Sequence, residues 1–216
     1  MKTNLQRSAR SLPRRTQRER RELSHHRMLD AALTLIARQG SSRTTLSQIG
    51  EASGYTHGLV SHRFGCKSEL VRTLIQKLQT DFAKSILPEL TGKTGIKALK
   101  LIAEKYLRAT AAHSSRLALY VLIGEALGPV PEIRPDLARA DENFRRSIQK
   151  QIEEGIRAGE IRATVDAGTQ AALILATLRG LVIQRILHPD SLDIDTVCRD
   201  MKSNLERTLK AAGRRA

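Results

Sequence analysis

The sequence is poor in aromatic side chains. Phe, Tyr and Trp make up 3% of its 216 residues, and Trp is absent. Sandwiches and barrels lean on aromatic and β-branched residues, so a core drawn from Leu, Ile, Val and Ala points to helices. Recognition of single-stranded RNA calls for aromatic stacking platforms, which so few rings cannot supply. Cysteine is almost missing as well. Cys66 and Cys198 are the only two. Neither sits in a CxxC pair, and two thiols make no disulfide framework for a chain of this size. That usage suits a reducing cytosol, and a redox-sensing role for Cys66 would rest on a lone thiol. The longest apolar run, residues 171–178, is interrupted by Thr177 and is too short to span a bilayer. The first residues are rich in Arg and Ser, with no apolar signal core. No membrane partner is expected, and the expected location is cytoplasmic. HExxH, GxSxG, a phosphate-binding loop and a glycine-rich dinucleotide turn are all lacking, so no catalytic residue, cofactor or metal is expected.

Acidic residues are also scarce. There are 22 Asp and Glu against 37 Lys and Arg, a net charge of +15. Such an excess points to a polyanion: duplex DNA, RNA or an acidic membrane surface. Its distribution is uneven. Residues 1–84 hold 16 Lys and Arg against 6 Asp and Glu, whereas residues 85–216 hold 21 against 16. A basic N-terminal module followed by a nearly balanced one is expected.

Apolar spacing predicts helices almost throughout. Residues 1–23, with Arg14, Arg15, Arg18, Arg20 and Arg21, read as a flexible basic arm or a solubilising tail. A first helix is expected over 24–39 from Leu29, Ala32, Leu33 and Ile36, with Gly40 as its left-handed cap. Thr45-Leu46-Ser47-Gln48 is a capping box that opens a second helix. Ser53-Gly54-Tyr55 breaks it, and Thr56 caps a third helix reaching Phe64. A fourth starts near Lys67 and should stop before Pro88. Beyond 90–92, helices are expected over a stripe from Ile96 to Thr110, over 117–127, from a cap at Asp136 to 158, over 166–187 and over 193–212. No strand pattern or internal repeat stands out.

The informative unit is 45–64. Two short helices crossing steeply need a small residue at their contact, which Gly50 supplies. Their turn needs a residue tolerant of positive φ, which Gly54 supplies. Leu59 or Val60, with Phe64, can be buried while Thr56, His57, Ser61 and His62 point outward. A helix this short is not stable alone and must be braced by its neighbours.

Residues 24–84 resemble the DNA-binding domain of the TetR (tetracycline-repressor-like) family. The likeness rests on Ala31-Ala32 and Gly40, on Thr44-Thr45-Leu46-Ser47-Gln48-Ile49, on the stretch from Gly54 to Phe64 and on Lys67-Ser68-Glu69-Leu70. Val60-Ser61-His62 is most similar to the choline-response branch. Further on, Glu125-Ala126-Leu127, Glu154-Gly155-Ile156 and Arg179-Gly180-Leu181 are looser echoes. The resemblance implies an all-α fold of about nine helices: a helix-turn-helix domain over 24–70, a connecting helix over 71–92 and a ligand-binding and dimerisation domain over 93–216. It implies a transcriptional regulator, a repressor released from its operator by a small molecule. Thr44 and Thr45 would face phosphate at a helix start. Thr56, His57 and Gly58 would enter the major groove, Ser61 and His62 would touch phosphate or base edges, and Lys67 would clamp a phosphate. Positions 59 and 63, often Thr and Tyr in the family, are Leu59 and Arg63 here. Leu59 is expected near a thymine methyl and Arg63 on phosphate or guanine. The basic arm is expected in the minor groove.

Two such heads about 34 Å apart read a palindromic operator, which requires a homodimer. Helix 166–187 is apolar on more than one side, so it either pairs with a second copy, together with 193–212, or lies buried in one chain. Tyr106, Thr110, His113, Tyr120, Glu125, Phe144 and Arg179 are polar or aromatic groups on apolar helices. They are either ligand-binding residues or ordinary core; Glu125 needs a partner if buried, and Arg179 either supplies it or caps a pocket. An aliphatic or acyl effector suits so few aromatics better than a flat drug. A nucleoid or architectural protein binding DNA without sequence choice is the competing reading.

Overall fold

The computed structural model describes residues 16–109 and 114–211. Among these it forms nine α-helices and no strand: α1 (Gln17–Arg43), α2 (Leu46–Ser53), α3 (His57–Phe64), α4 (Lys67–Leu90), α5 (Gly95–Arg108), α6 (Ser114–Leu127), α7 (Arg134–Arg157), α8 (Ala167–Leu187) and α9 (Ile194–Leu209). A 3₁₀ turn at Pro131–Ile133 precedes α7, and a lone antiparallel bridge ties Ile161 to Lys210.

The expected arm ends sooner than its charge suggests. Arg18, Arg20 and Arg21 lie on α1, while Arg14 and Arg15 fall outside the described residues. Thr16 and Glu19 close a capping box, and Arg18 pairs with Glu22 one turn on at 2.9 Å. These local bonds carry helix back from the packed segment that begins at Ser24. Two further boundaries differ. Pro88 lies inside the last turn of α4, where its missing N–H removes one backbone bond at an exposed end. Asp136 does not cap α7, which starts at Arg134 with a proline in its first turn. Its carboxylate instead takes Arg72 at 3.2 Å and Arg139 at 2.8 Å.

Two apolar clusters organise the chain. The first joins Met28, Leu29, Ala32, Leu33 and Ile36 of α1 to Ile49, Val60, Phe64, Leu70 and Leu74. Ala118, Leu122 and Ala126 of α6 belong to this cluster as well. The second gathers Leu99, Ala103, Tyr106 and Leu107 of α5, Ile148 and Ile152 of α7, Ala171, Ile174, Leu175, Leu178 and Val182 of α8, and Cys198, Met201, Leu205 and Leu209 of α9. Thus α6 packs onto the N-terminal head, although it follows α5 in the chain.

The junction is specific. Gly40 interrupts α1 with φ 82° and ψ 162°, a conformation that costs a side chain dearly. The Ser41 and Ser42 N–H groups follow directly on this turn. Glu125 of α6 accepts both, at 3.1 Å and 3.3 Å. A Cβ at position 40 would lie 2.7 Å from that carboxylate. This corrects the expected pairing, because Glu125 is tied to the base of the head and not to Arg179.

Candidate nucleic-acid interface and ligand cavity

Thr45 caps α2, accepting from the Gln48 N–H at 3.2 Å, while Gln48 Oε1 accepts from the Thr45 N–H at 2.9 Å. Gly54 ends α2 at φ 77°. Gly50 has no room for a side chain: a Cβ there would stand 2.8 Å from the Tyr55 carbonyl oxygen. The chain therefore turns tightly into α3, whose first turn Thr56 caps through the Leu59 N–H at 3.3 Å. Val60 and Phe64 are buried against α1 and α4. Thr45, Thr56, His57, Gly58 and His62 are exposed, and Ser61 is half-buried beside His57 at 3.3 Å. An exposed, capped helix start bearing short polar side chains is the shape that enters a major groove.

Four of the expected contact residues have partners within the chain. Thr44 is only 2% exposed and donates to the Gly40 carbonyl at 2.7 Å, which removes it from the outer face. Leu59 is half-buried, packed on the head core. Arg63 reaches back to α1, donating to the Arg21 carbonyl at 3.3 Å and Ser24 Oγ at 3.4 Å. Lys67 donates to the Ser42 carbonyl at 2.7 Å. Arg63 thus ties α3 to α1 and Lys67 ties the start of α4 to the end of α1, a use that residue type alone does not reveal. His25 stacks on Phe64 with ring centroids 5.2 Å apart, and burial followed by the nearby Arg63 charge pushes its pKa down, so the ring packs as a neutral aromatic. Cys66 is exposed and Cys198 buried.

A cavity of about 630 Å³ opens among α4, α5, α6, α7 and α8. Its walls are mainly Leu, Ile and Ala. An aromatic trio of Phe82, Tyr106 and Phe144 stands at one side, with centroids 5.4–5.6 Å apart. Of the expected ligand residues, Tyr106, Phe144 and Arg179 line this space. Tyr120 sits behind it, its hydroxyl 3.0 Å from that of Tyr106, and burial raises its pKa far above the ordinary phenol value. Glu125 is not on the lining. Thr110 and His113 lie outside the described residues. Arg179 is paired with Asp141 on α7. Gln151 Oε1 is buried on the lining without a partner.

The residue that the sequence reading passed over is Arg116. Its guanidinium carbon lies 4.6 Å from the Phe82 centroid and 4.8 Å from that of Tyr106. Burial lowers its pKa, only partly offset by the two tyrosines. Desolvated cation–π contacts are worth about 2 kcal/mol, whereas burying an ion costs several. The available signal was that Arg116 is the sole cation on α6, which is mostly apolar.

The head and the cavity together define a DNA-binding regulator that carries an internal binding space. The comparisons agree. A family model described as "Bacterial regulatory proteins, tetR family" matches residues 28–74, and one described as "BetI-type transcriptional repressor, C-terminal" matches residues 96–210, more than half of the chain. The chain belongs to the TetR family and is a DNA-binding transcriptional regulator. It is similar to the regulator SrpR of Pseudomonas putida, 25% identical over 83% of this chain and 82% of that protein. It is similar to the regulator TtgR, also of Pseudomonas putida, 27% identical over 84% of this chain and 88% of that protein. In fold it resembles the regulator FadR of Bacillus subtilis, solved with stearoyl-CoA, with TM-score 0.74 and 19% identity over 84% of this chain and 97% of that one.

Proposed function

We propose that the chain is a homodimeric repressor, without catalytic step or cofactor, which acts in the cytoplasm and leaves its operator when a small molecule fills the cavity. The carrying observation is α6. Leu119, Ile123, Ala126 and Leu127 line the cavity, while Glu125 on the same helix holds the Ser41 and Ser42 N–H groups at the kink in α1. A ligand that moves α6 moves the base of the head. The α4 helix also spans cavity and head, through Ile75, Leu78 and Phe82. Close-packed helices shift as units, so a small displacement at the cavity reaches α3. Relatives that bind effectors, such as the FadR structure with stearoyl-CoA, support this reading.

Thr45, Thr56, His57, Gly58, Ser61 and His62 contact DNA in this proposal. Arg63 and Lys67 hold the head together, and any phosphate contact they make follows release of their internal acceptors. The dimer forms through α8. Leu173, Ala176, Gly180, Ile183 and Leu187 repeat at steps of three and four on its outer side. Leu173 is 55% exposed, Ile183 45% and Leu187 68%. The opposite side of α8 is fully used in the core. Among the described residues α8 is the one helix long and apolar enough to cross a membrane, but Arg179 and Arg185 on it are tied to Asp141 and to the Leu107 carbonyl. A second copy covers such a stripe without exposing those cations to lipid. The apolar stripe of α9, Cys198, Met201, Leu205 and Leu209, is buried within its own chain, so α9 brings polar groups to the interface.

Footprinting the operator with and without candidate effectors tests the switch. Protection of one palindromic site should fade as effector saturates, by the 5- to 150-fold that couplings of about 1–3 kcal/mol produce. Protection unchanged under every cavity-filling compound would refute ligand release while leaving DNA binding intact.

A further inference from the structure

We infer that the effector is an amphipathic anion: an aliphatic or aryl body carrying one carboxylate-like group, which Arg116 neutralises inside the cavity. This rests on the reading of the cavity as the effector site and goes on to name the ligand's chemistry.

The described residues include every Asp and Glu of the chain. Among them none is ion-paired to Arg116, which lines the cavity. The one acidic residue on the lining, Asp141, is held by Arg179. Two further cations share the lining. Arg134 gives its guanidinium to the Ala126 carbonyl at 3.0–3.1 Å, and Lys150 stands at an exposed edge, 3.9 Å from Glu154. The interior is thus cationic and short of a counter-charge, with apolar walls around it. A buried cation without a counter-ion invites an anion, because the charges attract strongly where water is excluded.

A quaternary ammonium ligand meets a like charge here. Arg116 already stands over Phe82 and Tyr106, the ring faces such a cation would use. A fully neutral ligand fills the walls but leaves the guanidinium uncompensated.

The test uses the full dimeric chain and three matched probes: decanoate, decanol and decyltrimethylammonium, each below its aggregation threshold. The readout is displacement of Nile red, a neutral reporter for the cavity, followed by release of operator DNA. Decanoate should displace the dye at least about tenfold more tightly than the other two and should release the operator. Arg116→Met should weaken decanoate by about 10- to 100-fold and leave decanol within about threefold. Arg116→Lys, which keeps the charge, should recover part of the loss and shows that the methionine variant failed by charge and not by folding. Equal or tighter displacement by decanol or by the ammonium compound would overturn the anion assignment and leave the effector site standing. Nile red entry with no displacement by decanoate would also overturn it. If Nile red itself fails to enter, the reading of the cavity falls too.

Discussion

Replacing Leu173 and Ile183 together by glutamate is expected to give a folded, helical monomer with operator affinity lower by about 10²- to 10⁴-fold. Both side chains point away from their own core, so the fold of one chain does not need them. Each is about half exposed in one chain, so covering it in the dimer contributes about 0.7–1.5 kcal/mol. Symmetry repeats each change, so four carboxylates would meet where water is excluded, at several kcal/mol apiece. Two linked heads bind an operator as one unit because the first contact holds the second near its half-site, and separate heads lose that advantage. Sedimentation, circular dichroism and operator titration on one sample check the result. A variant that stays dimeric and binds as before would place the interface elsewhere.

Glu125→Ala is expected to break the switch at its joint. The substitution strips the acceptors from two backbone N–H groups, one of them in the 1%-exposed Ser41. An unsatisfied buried donor costs about 1–3 kcal/mol. Effector binding should stay within about threefold, since Glu125 is not on the cavity lining, whereas the ratio of operator affinities without and with effector should fall toward one. A coupling of about 1–3 kcal/mol is then lost while both sites remain. Glu125→Gln, which keeps one acceptor, should fall between. Full release in the alanine variant would mean that α4 alone carries the signal.

The head was legible in the sequence because its features are local. The capping box of Thr45 and Gln48, the positive φ of Gly54 and the lack of space at Gly50 each follow from neighbours within a few residues, and the inward face of α3 from the four-residue spacing of Val60 and Phe64. What escaped was set by partners far along the chain. Glu125 meets α1 from 84 residues away, Arg63 folds back over 42 residues and Lys67 over 25. Tyr106, Phe144 and Arg179 stood out as polar or aromatic groups on apolar helices, but Arg116 and Asp141 gained meaning only once α6, α7 and α8 had packed around one space. The start of α1 was masked by charge: its arginines suggested a loose arm, while Thr16, Glu19 and Glu22 hold a helix beneath them.

The central claim is that the exposed side of α3 reads base edges in duplex DNA. Selection of bound sequences from a random duplex pool, run in parallel on the unaltered chain and on His57→Ala, tests it most directly. The unaltered chain should enrich a palindrome with half-sites about one helical turn apart. The variant should lose sequence preference at one position in each half-site, at a cost of about 1–3 kcal/mol, with an unchanged salt slope. Enrichment of the same motif with the same affinity by both proteins, or of no motif by the unaltered chain, would contradict the account.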